Sequence, residues 1–191
     1  MRLQPIERPT SLVMRVAYWI TKRRLGKVIT PMKVIYARVP KSLSLARAMS
    51  AFSSNADLLG TTTRELVLAR IAQLNACVFC ADISRMRNLD DSGLLEKLAH
   101  IEDYEASAIF SETERAALAF ADELTKTRRV SDSVFERARR VLRDEQLAEL
   151  ALLCAVENYY NMVNHAFEIP SDDLCALRKP RAARRASNPA V

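Results

Sequence analysis

The chain is so poor in glycine that its choice of fold is restricted: only Gly26, Gly60 and Gly93 occur among 191 residues. Turn-rich β folds, dinucleotide-binding fingerprints and phosphate-binding loops all need clustered glycines, so this scarcity argues against those classes. Alanine, leucine, arginine and glutamate dominate instead, as they do in helical proteins. With 49% apolar residues, the chain can form one sizeable core. We therefore predict an all-α helical bundle in a single domain.

Helix starts are marked by capping residues and prolines. The spacing of Thr62 and Glu65 predicts a capping box, in which the fourth residue bonds back to the first, and Ser111 with Glu114 has the same spacing. The run after Thr62 is apolar nearly all round, which predicts a central, buried helix. Thr30 followed by proline predicts another start. The predicted helices cover about residues 11–24, 30–38, 40–52, 62–74, 76–88, 91–101, 111–127, 131–142 and 144–167.

Charge is distributed unevenly along the chain, whose formal net charge is +6. Residues 1–56 carry +10, residues 57–177 carry −9, and the remaining C-terminal residues carry +5. We predict a basic N-terminal helical extension over 1–44, a helical domain over 45–173 and a basic, mobile tail over 174–191. An acidic body is a poor surface for nucleic acid, so no such partner is expected. The basic ends are expected to contact a neighbouring subunit, with an anionic membrane surface as the less favoured alternative.

The motif Cys77-x-x-Cys80 is the candidate for chemistry. Residues three apart on a helix lie on one face, with Cβ atoms about 5–6 Å apart, so the two thiols can close a disulfide and transfer two electrons. Inert buried thiols and a zinc site are the alternatives, although the chain shows no second paired ligand motif. Cys154 is predicted to lie in the core, and Cys175 is predicted to be a bystander.

Cysteine usage also bears on location. Four cysteines are too few for a disulfide-stapled secreted scaffold, and neither a signal peptide nor a membrane-spanning run is visible. A reducing cytoplasm is the expected location. We expect no cofactor and no bound metal.

A catalytic dithiol needs a thiolate and an acid that protonates the leaving oxygen. Helix N-termini favour a thiolate because free N–H groups point at the sulfur, and Asn75 is predicted to cap a helix beginning at Ala76. The candidate acid is Glu65, fifteen residues before Cys80. In an unbroken helix the two would lie about 22 Å apart, so the catalytic hypothesis requires a helix break near Asn75. The alternative role for Glu65 is that of a capping-box carboxylate.

The order and spacing of Glu65, Cys77 and Cys80 resemble the signature of the alkylhydroperoxidase D / carboxymuconolactone decarboxylase family. In that signature the acid precedes the first cysteine by twelve positions, as it does here. The likeness covers about residues 45–173. Three stretches within it also look like family sequences: 72–80, 110–121 and 158–170.

The resemblance implies an all-helical fold assembled as a homo-oligomer, often a trimer or hexamer. It implies a peroxidase in which Cys80 attacks a hydroperoxide, Cys77 resolves the sulfenic acid to a disulfide, and Glu65 belongs to the proton relay. The implied reductant is a dithiol carrier, such as a lipoyl-type adaptor. A decarboxylase-like small-molecule enzyme and a non-enzymatic redox-sensing oligomer on the same fold are the alternatives.

Two positions depart from the family pattern. Ser84 stands where the relay histidine usually follows the second cysteine by four, and Phe79 stands where one peroxidase branch has a second histidine. A serine hydroxyl can pass a proton but cannot hold one near neutral pH as an imidazole can. Ser84 is therefore an assisting catalytic candidate. His165 is the other imidazole that could act in a relay, but a hydrogen-bonded structural role is the favoured interpretation.

Overall fold

The computed structural model describes residues 1–177, and within that range the chain is helical and has no strand. The predicted all-α class is confirmed, while most of the predicted tail lies outside the described residues. A π-helix spans Met32–Tyr36 and a 3₁₀ turn spans Ile101–Asp103. The α-helices of this range are α1 (Leu12–Leu25), α2 (Ser42–Asn55), α3 (Thr61–Leu74), α4 (Val78–Arg87), α5 (Ser92–Ala99), α6 (Glu112–Thr127), α7 (Asp132–Arg139), α8 (Asp144–Ala166) and α9 (Leu174–Leu177).

Helix α6 begins with the capping box that the sequence predicts. The Glu114 N–H donates to the Ser111 hydroxyl at 3.2 Å, and the Ser111 N–H donates to the Glu114 carboxylate at 2.8 Å. Helix α5 begins in a similar way, because the Leu94 N–H donates to the Asp91 carboxylate at 3.0 Å. Local chemistry alone therefore determines these two starts.

The capping box predicted for Thr62 and Glu65 is wrong. Helix α3 begins one residue earlier, at Thr61, and its N-cap is Gly60 with a φ of 77°. Glycine adopts this backbone conformation readily because it has no Cβ. Glu65 consequently lies beyond the first turn and cannot bond back to the cap, which leaves its carboxylate for contacts with other elements.

The main hydrophobic core lies between α3, α6 and α8. Helix α3 is buried on most sides, as predicted, and contacts α4, α5, α6 and α8. Cys154 of α8 has no exposed surface, which confirms its predicted core position. Each fully buried aliphatic side chain stabilises the fold by about 1.5–3 kcal/mol. The larger members of this core include Val67, Leu68, Ile71, Phe120, Leu150 and Leu153.

The N-terminal segment forms a second, smaller cluster that packs beside the core. The π-helix replaces the α-helix predicted for residues 30–38, since the Ala37 N–H donates to the Met32 carbonyl at 3.0 Å, five residues back. Its start is anchored by a tertiary contact: the Thr30 N–H and hydroxyl donate to the Asp172 carboxylate at 2.7 and 2.8 Å. The cluster contains Met14, Tyr18, Tyr36, Leu43 and Ala46.

The outer face of α1 remains exposed. Trp19 and Val13 are each 61% exposed, and Leu12 is 71% exposed. The subunit contact predicted for the basic N-terminal region stays a prediction. Among the described residues, no helix combines the length and apolarity that crossing a membrane requires.

The segment after α8 is bound to α4 through one half-buried carboxylate. Asp82 accepts hydrogen bonds from the hydroxyl of Ser171 and from the N–H groups of Asp172, Leu174 and Cys175, at 2.9–3.3 Å. Burial by itself would raise the pKa of Asp82, but these hydrogen bonds to the charged form lower it below its ordinary value. Helix α4 is thereby fixed against the C-terminal segment.

Replacing Leu150, which is 0% exposed, with alanine should lower the free energy of unfolding by about 2–5 kcal/mol, because a cavity opens in the main core. Leu152→Ala, on the same helix but 54% exposed, is the matched control and should change it by less than about 0.5 kcal/mol. Urea unfolding of both variants measures the difference. Equal losses would contradict the core assignment.

Candidate functional site

A sharp reversal at residues 75–77 separates α3 from α4. Ala76 has a φ of 51°, and the Cys77 N–H donates to the Ala72 carbonyl at 2.8 Å, which closes the turn. Helix α4 therefore packs back against α3. The predicted break is confirmed, but the predicted cap is wrong. Cys77 is the N-cap of α4, whereas Asn75 ends α3 and directs its side chain to α8.

The two cysteines of the motif are paired as a disulfide in the first turn of α4. Their Cα atoms lie 5.3 Å apart, and both residues are buried. Cys77 is the N-cap and Cys80 the third residue of the helix. After reduction, the free N–H groups and the positive end of the helix dipole favour a thiolate at this position.

Helix α8 presents side-chain amides to both sulfurs. The Asn161 Nδ2 lies 3.2 Å from the Cys80 Sγ, and the Asn164 Nδ2 lies 3.4 Å from the same sulfur and 3.8 Å from the Cys77 Sγ. Asn75 braces this arrangement by donating at 3.0 Å to the Asn161 Oδ1. Amide N–H donors stabilise the charged form of a thiol more than the neutral form, so Cys80 receives the stronger support.

Glu157 completes this group, and the sequence analysis missed it. Its Oε1 accepts a hydrogen bond from the Asn161 Nδ2 at 2.7 Å, so one amide contacts both the carboxyl and the Cys80 sulfur. The pKa of Glu157 is raised from 4.5 to about 7. Burial is the main cause of this increase, and the charge of Glu65 adds to it, whereas the hydrogen bond from Asn161 and the charge of Arg87 act in the opposite direction. A carboxyl with such a pKa can both hold and release a proton near neutrality.

A cavity of about 230 Å³ opens onto this group. Cys80, Glu157 and Asn164 line it, so the second cysteine of the motif, the buried carboxyl and an amide donor face the same space. Its walls are otherwise largely apolar and come from the π-helix, α2, α4 and α8. These walls include Tyr36, Phe79, Ile83 and Tyr160.

The structure brings Glu65 and Ser84 together, although neither is among the described residues that line the Cys80 cavity. Asn88 joins them: its Nδ2 donates to the Glu65 Oε2 at 3.1 Å and to the Ser84 carbonyl at 2.9 Å. Glu65 is buried and also pairs with Arg64 at 3.3 Å. The Ser84 hydroxyl is buried without a hydrogen-bond partner among residues 1–177 and lines a different cavity, beside α5.

His165 lies on the other side of the disulfide. Its Nε2 bonds the Asn75 carbonyl, and it lines a separate cavity with Cys77 rather than the one with Cys80. His165 therefore has the hydrogen-bonded position that the sequence favours over a relay role. Within the described part of the chain, no three His, Cys, Asp or Glu side chains are grouped to hold a metal ion.

Comparison with known proteins places the chain in a family. The model of the carboxymuconolactone decarboxylase family matches residues 34–123. The uncharacterized protein YnjA of Escherichia coli (strain K12) is 30% identical over 184 residues, which are 95% of this chain and 100% of YnjA.

Solved structures share the fold at lower identity. A peroxidase-related protein from Silicibacter sp. TM1040 superposes with a TM-score of 0.73 at 20% identity, covering 86% of this chain and 87% of its own. An alkylhydroperoxidase AhpD core protein from Ralstonia eutropha JMP134 gives a TM-score of 0.65 at 20% identity, covering 93% and 100%. The AhpD-like fold is thus shown across nearly the whole chain.

The buried Glu157 should make stability depend on pH. Because its pKa rises from 4.5 to about 7 on folding, the folded chain binds this proton more tightly than the unfolded chain, and stability falls as pH increases through that window. Glu157→Gln, which cannot ionise, should gain free energy of unfolding relative to wild type over the same window, by roughly 3 kcal/mol. Urea unfolding below and above the window measures this gain.

The control for this prediction is Glu145→Gln, an exposed glutamate on the same helix. The difference in the free energy of unfolding between this variant and wild type should not change with pH. A Glu157→Gln difference that also stays constant would show that Glu157 keeps its ordinary pKa in the folded protein.

Proposed function

The chain belongs to the carboxymuconolactone decarboxylase family, and we propose that it is a thiol-dependent peroxidase that reduces organic hydroperoxides through a Cys77–Cys80 dithiol–disulfide cycle. The observation that carries this proposal is that Cys80 and a buried carboxyl of pKa about 7 line one cavity and share one amide donor. Two proteins of the same fold are described as peroxidase-related, which supports the same class of reaction.

Cys80 is the attacking thiolate in this proposal. It lines the largely apolar cavity, and two amides donate to its sulfur, whereas Cys77 lines a separate cavity and receives one long contact. Because Cys77 is the N-cap of α4, its thiol also has access to the thiolate form that a resolving cysteine needs.

The first step transfers one oxygen atom. The Cys80 thiolate attacks the terminal oxygen of the hydroperoxide, an S–O bond forms, and the O–O bond breaks. The departing alkoxide takes the proton of Glu157 and leaves as an alcohol. Cys80 becomes a sulfenic acid and Glu157 becomes a carboxylate, so a carboxyl supplies the proton that an imidazole usually supplies in the family signature.

The remaining steps restore the dithiol. The Cys77 sulfur attacks the Cys80 sulfur, the S–S bond forms, and the S–O bond breaks with release of water that includes the Cys77 proton. A dithiol reductant of the lipoyl type then reduces the disulfide and is itself oxidised to a disulfide. One proton released from the regenerated Cys80 thiol returns to Glu157, which closes the cycle.

Glu65 and Ser84 have supporting parts in this scheme. The charge of Glu65 helps to keep Glu157 protonated, since a nearby negative charge disfavours a second carboxylate. Ser84 holds Asn88 through its carbonyl, and Asn88 in turn holds Glu65. Both residues therefore act on the relay through Glu157 rather than on the hydroperoxide itself.

Cys80→Ser should abolish hydroperoxide consumption driven by dihydrolipoamide, because the nucleophile is lost. Cys77→Ser should instead allow one turnover and leave a sulfenic acid on Cys80, which dimedone labelling and mass spectrometry detect. Cys175→Ser, outside the cavity, is the control and should retain wild-type turnover. An unchanged rate in Cys80→Ser would refute the proposal, and lactone turnover without either motif thiol would favour a decarboxylase.

Proton donation by Glu157 predicts a fall in peroxidase kcat/KM as pH rises through about 7, where this carboxyl loses its proton. Glu157→Gln should lower kcat/KM by about 100-fold or more below that pH and should remove the fall. The pH profiles of wild type, Glu157→Gln and the exposed control Glu145→Gln test this. A fall at the same pH in Glu157→Gln would assign it to another group.

A further inference from the structure

Two arginines line the Cys80 cavity without an ionic partner among residues 1–177. Arg47 of α2 and Arg87 of α4 are exposed, and neither forms a hydrogen bond or salt bridge with any residue in the described range 1–177. Two arginines elsewhere in this range show the contrast, because Arg70 binds Asp122 at 2.7 Å and Arg137 binds two glutamates. The open side of the cavity therefore presents two positive charges that form no ion pair or hydrogen bond within the described part of the chain.

The rest of the cavity is suited to a hydrocarbon body. Glu157 is the one acidic residue among its described lining residues, and it is neutral when protonated. The hydroxyl of Tyr160 is occupied by the Ala46 carbonyl at 2.7 Å, so its ring contributes mainly apolar surface. The cavity volume of about 230 Å³ is below the roughly 300–1,000 Å³ of sites for drug-sized ligands, which favours a small occupant.

We propose that the cavity binds a small organic hydroperoxide that carries a carboxylate, with the carboxylate at Arg47 and Arg87 and the peroxide at Cys80. This inference rests on the proposed peroxidase function and adds the chemical class of the substrate. Guanidinium groups match carboxylates in geometry and charge, and cations at a cavity mouth also speed the arrival of anions. The apolar body of the substrate then lies along Phe79 and Ile83.

Arg87 also affects proton donation by Glu157, and the experiment must distinguish this effect from carboxylate binding. Its charge lowers the pKa of Glu157, against the larger raising effect of burial, so its loss changes proton donation as well as binding. A change in proton donation affects a neutral and an anionic hydroperoxide equally. Recognition of a carboxylate affects only the anionic hydroperoxide. The ratio of kcat/KM for the two hydroperoxides therefore isolates carboxylate recognition.

The experiment compares cumene hydroperoxide with its 4-carboxy derivative, which have the same body and the same peroxide. Wild type should give a kcat/KM at least about tenfold higher for the carboxylate at low salt, and the preference should shrink as salt is added. The double variant Arg47→Gln/Arg87→Gln should lose the preference. Arg85→Gln, an exposed arginine of α4 outside this cavity, is the matched control and should keep it.

A binding measurement tests the site without turnover. Calorimetry on the Cys80→Ser variant should detect binding of 4-isopropylbenzoate, weaker binding of 4-isopropylbenzamide, and loss of the difference when Arg47 and Arg87 are also replaced. Equal binding of the two probes together with equal rates for the two hydroperoxides would overturn the proposal. Selective binding of the carboxylate without turnover of either hydroperoxide would support the anion site and refute the peroxidase function.

Discussion

The chain reversal at residues 75–77 is the constraint on which the site depends. A left-handed backbone at a residue with a Cβ costs about 1–2 kcal/mol, and Ala76 adopts it at a φ of 51°. The hydrogen bond from the Cys77 N–H to the Ala72 carbonyl and the bonds from Asn75 to α8 hold the turn in place. Without the reversal, α4 would continue along the axis of α3, and its cysteines would point away from the amides of α8.

Helix α8 supplies the polar side of the site from inside the main core. Its asparagines and Glu157 lie at spacings of three and four residues, so they share one face, while Leu150, Leu153 and Cys154 bury the preceding turns. The core therefore holds the amides at a defined distance from the sulfurs of α4. The same burial raises the pKa of Glu157. Packing in the core therefore both positions the side chains of the site and sets the pKa of its acid.

Much of the fold and part of the site could be predicted from the sequence. The features that could be predicted depend on residues that are close in sequence, and those that could not depend on contacts between distant residues. The all-α class, the capping box at Ser111 and the Cys77–Cys80 motif depend on residues only a few positions apart in the sequence. The π-helix depends on Asp172, far along the chain, and no local pattern predicts it. Glu65 fitted a capping box, but Gly60 moved the helix start and left it for tertiary contacts. Glu157 stands four residues before Asn161, yet only the packed structure shows that Asn161 contacts the Cys80 sulfur and that Glu157 lines the same cavity.

The bridging amide of Asn161 bears on how a buried carboxyl can replace an imidazole in the proposed peroxidase cycle. Its two N–H groups donate to the Cys80 sulfur and to Glu157. Before oxygen transfer the negative charge is on the sulfur and the carboxyl is neutral; afterwards the sulfenic acid is neutral and the carboxylate carries the charge. The buried site thus keeps one negative charge throughout, and that charge moves between two groups already bonded to the same donor. An imidazolium donor would instead start beside the thiolate as an ion pair and leave the site without charge after the transfer. A carboxyl with a raised pKa can supply the same proton from within this hydrogen-bonded group, which is consistent with Phe79 and Ser84 at the two histidine positions.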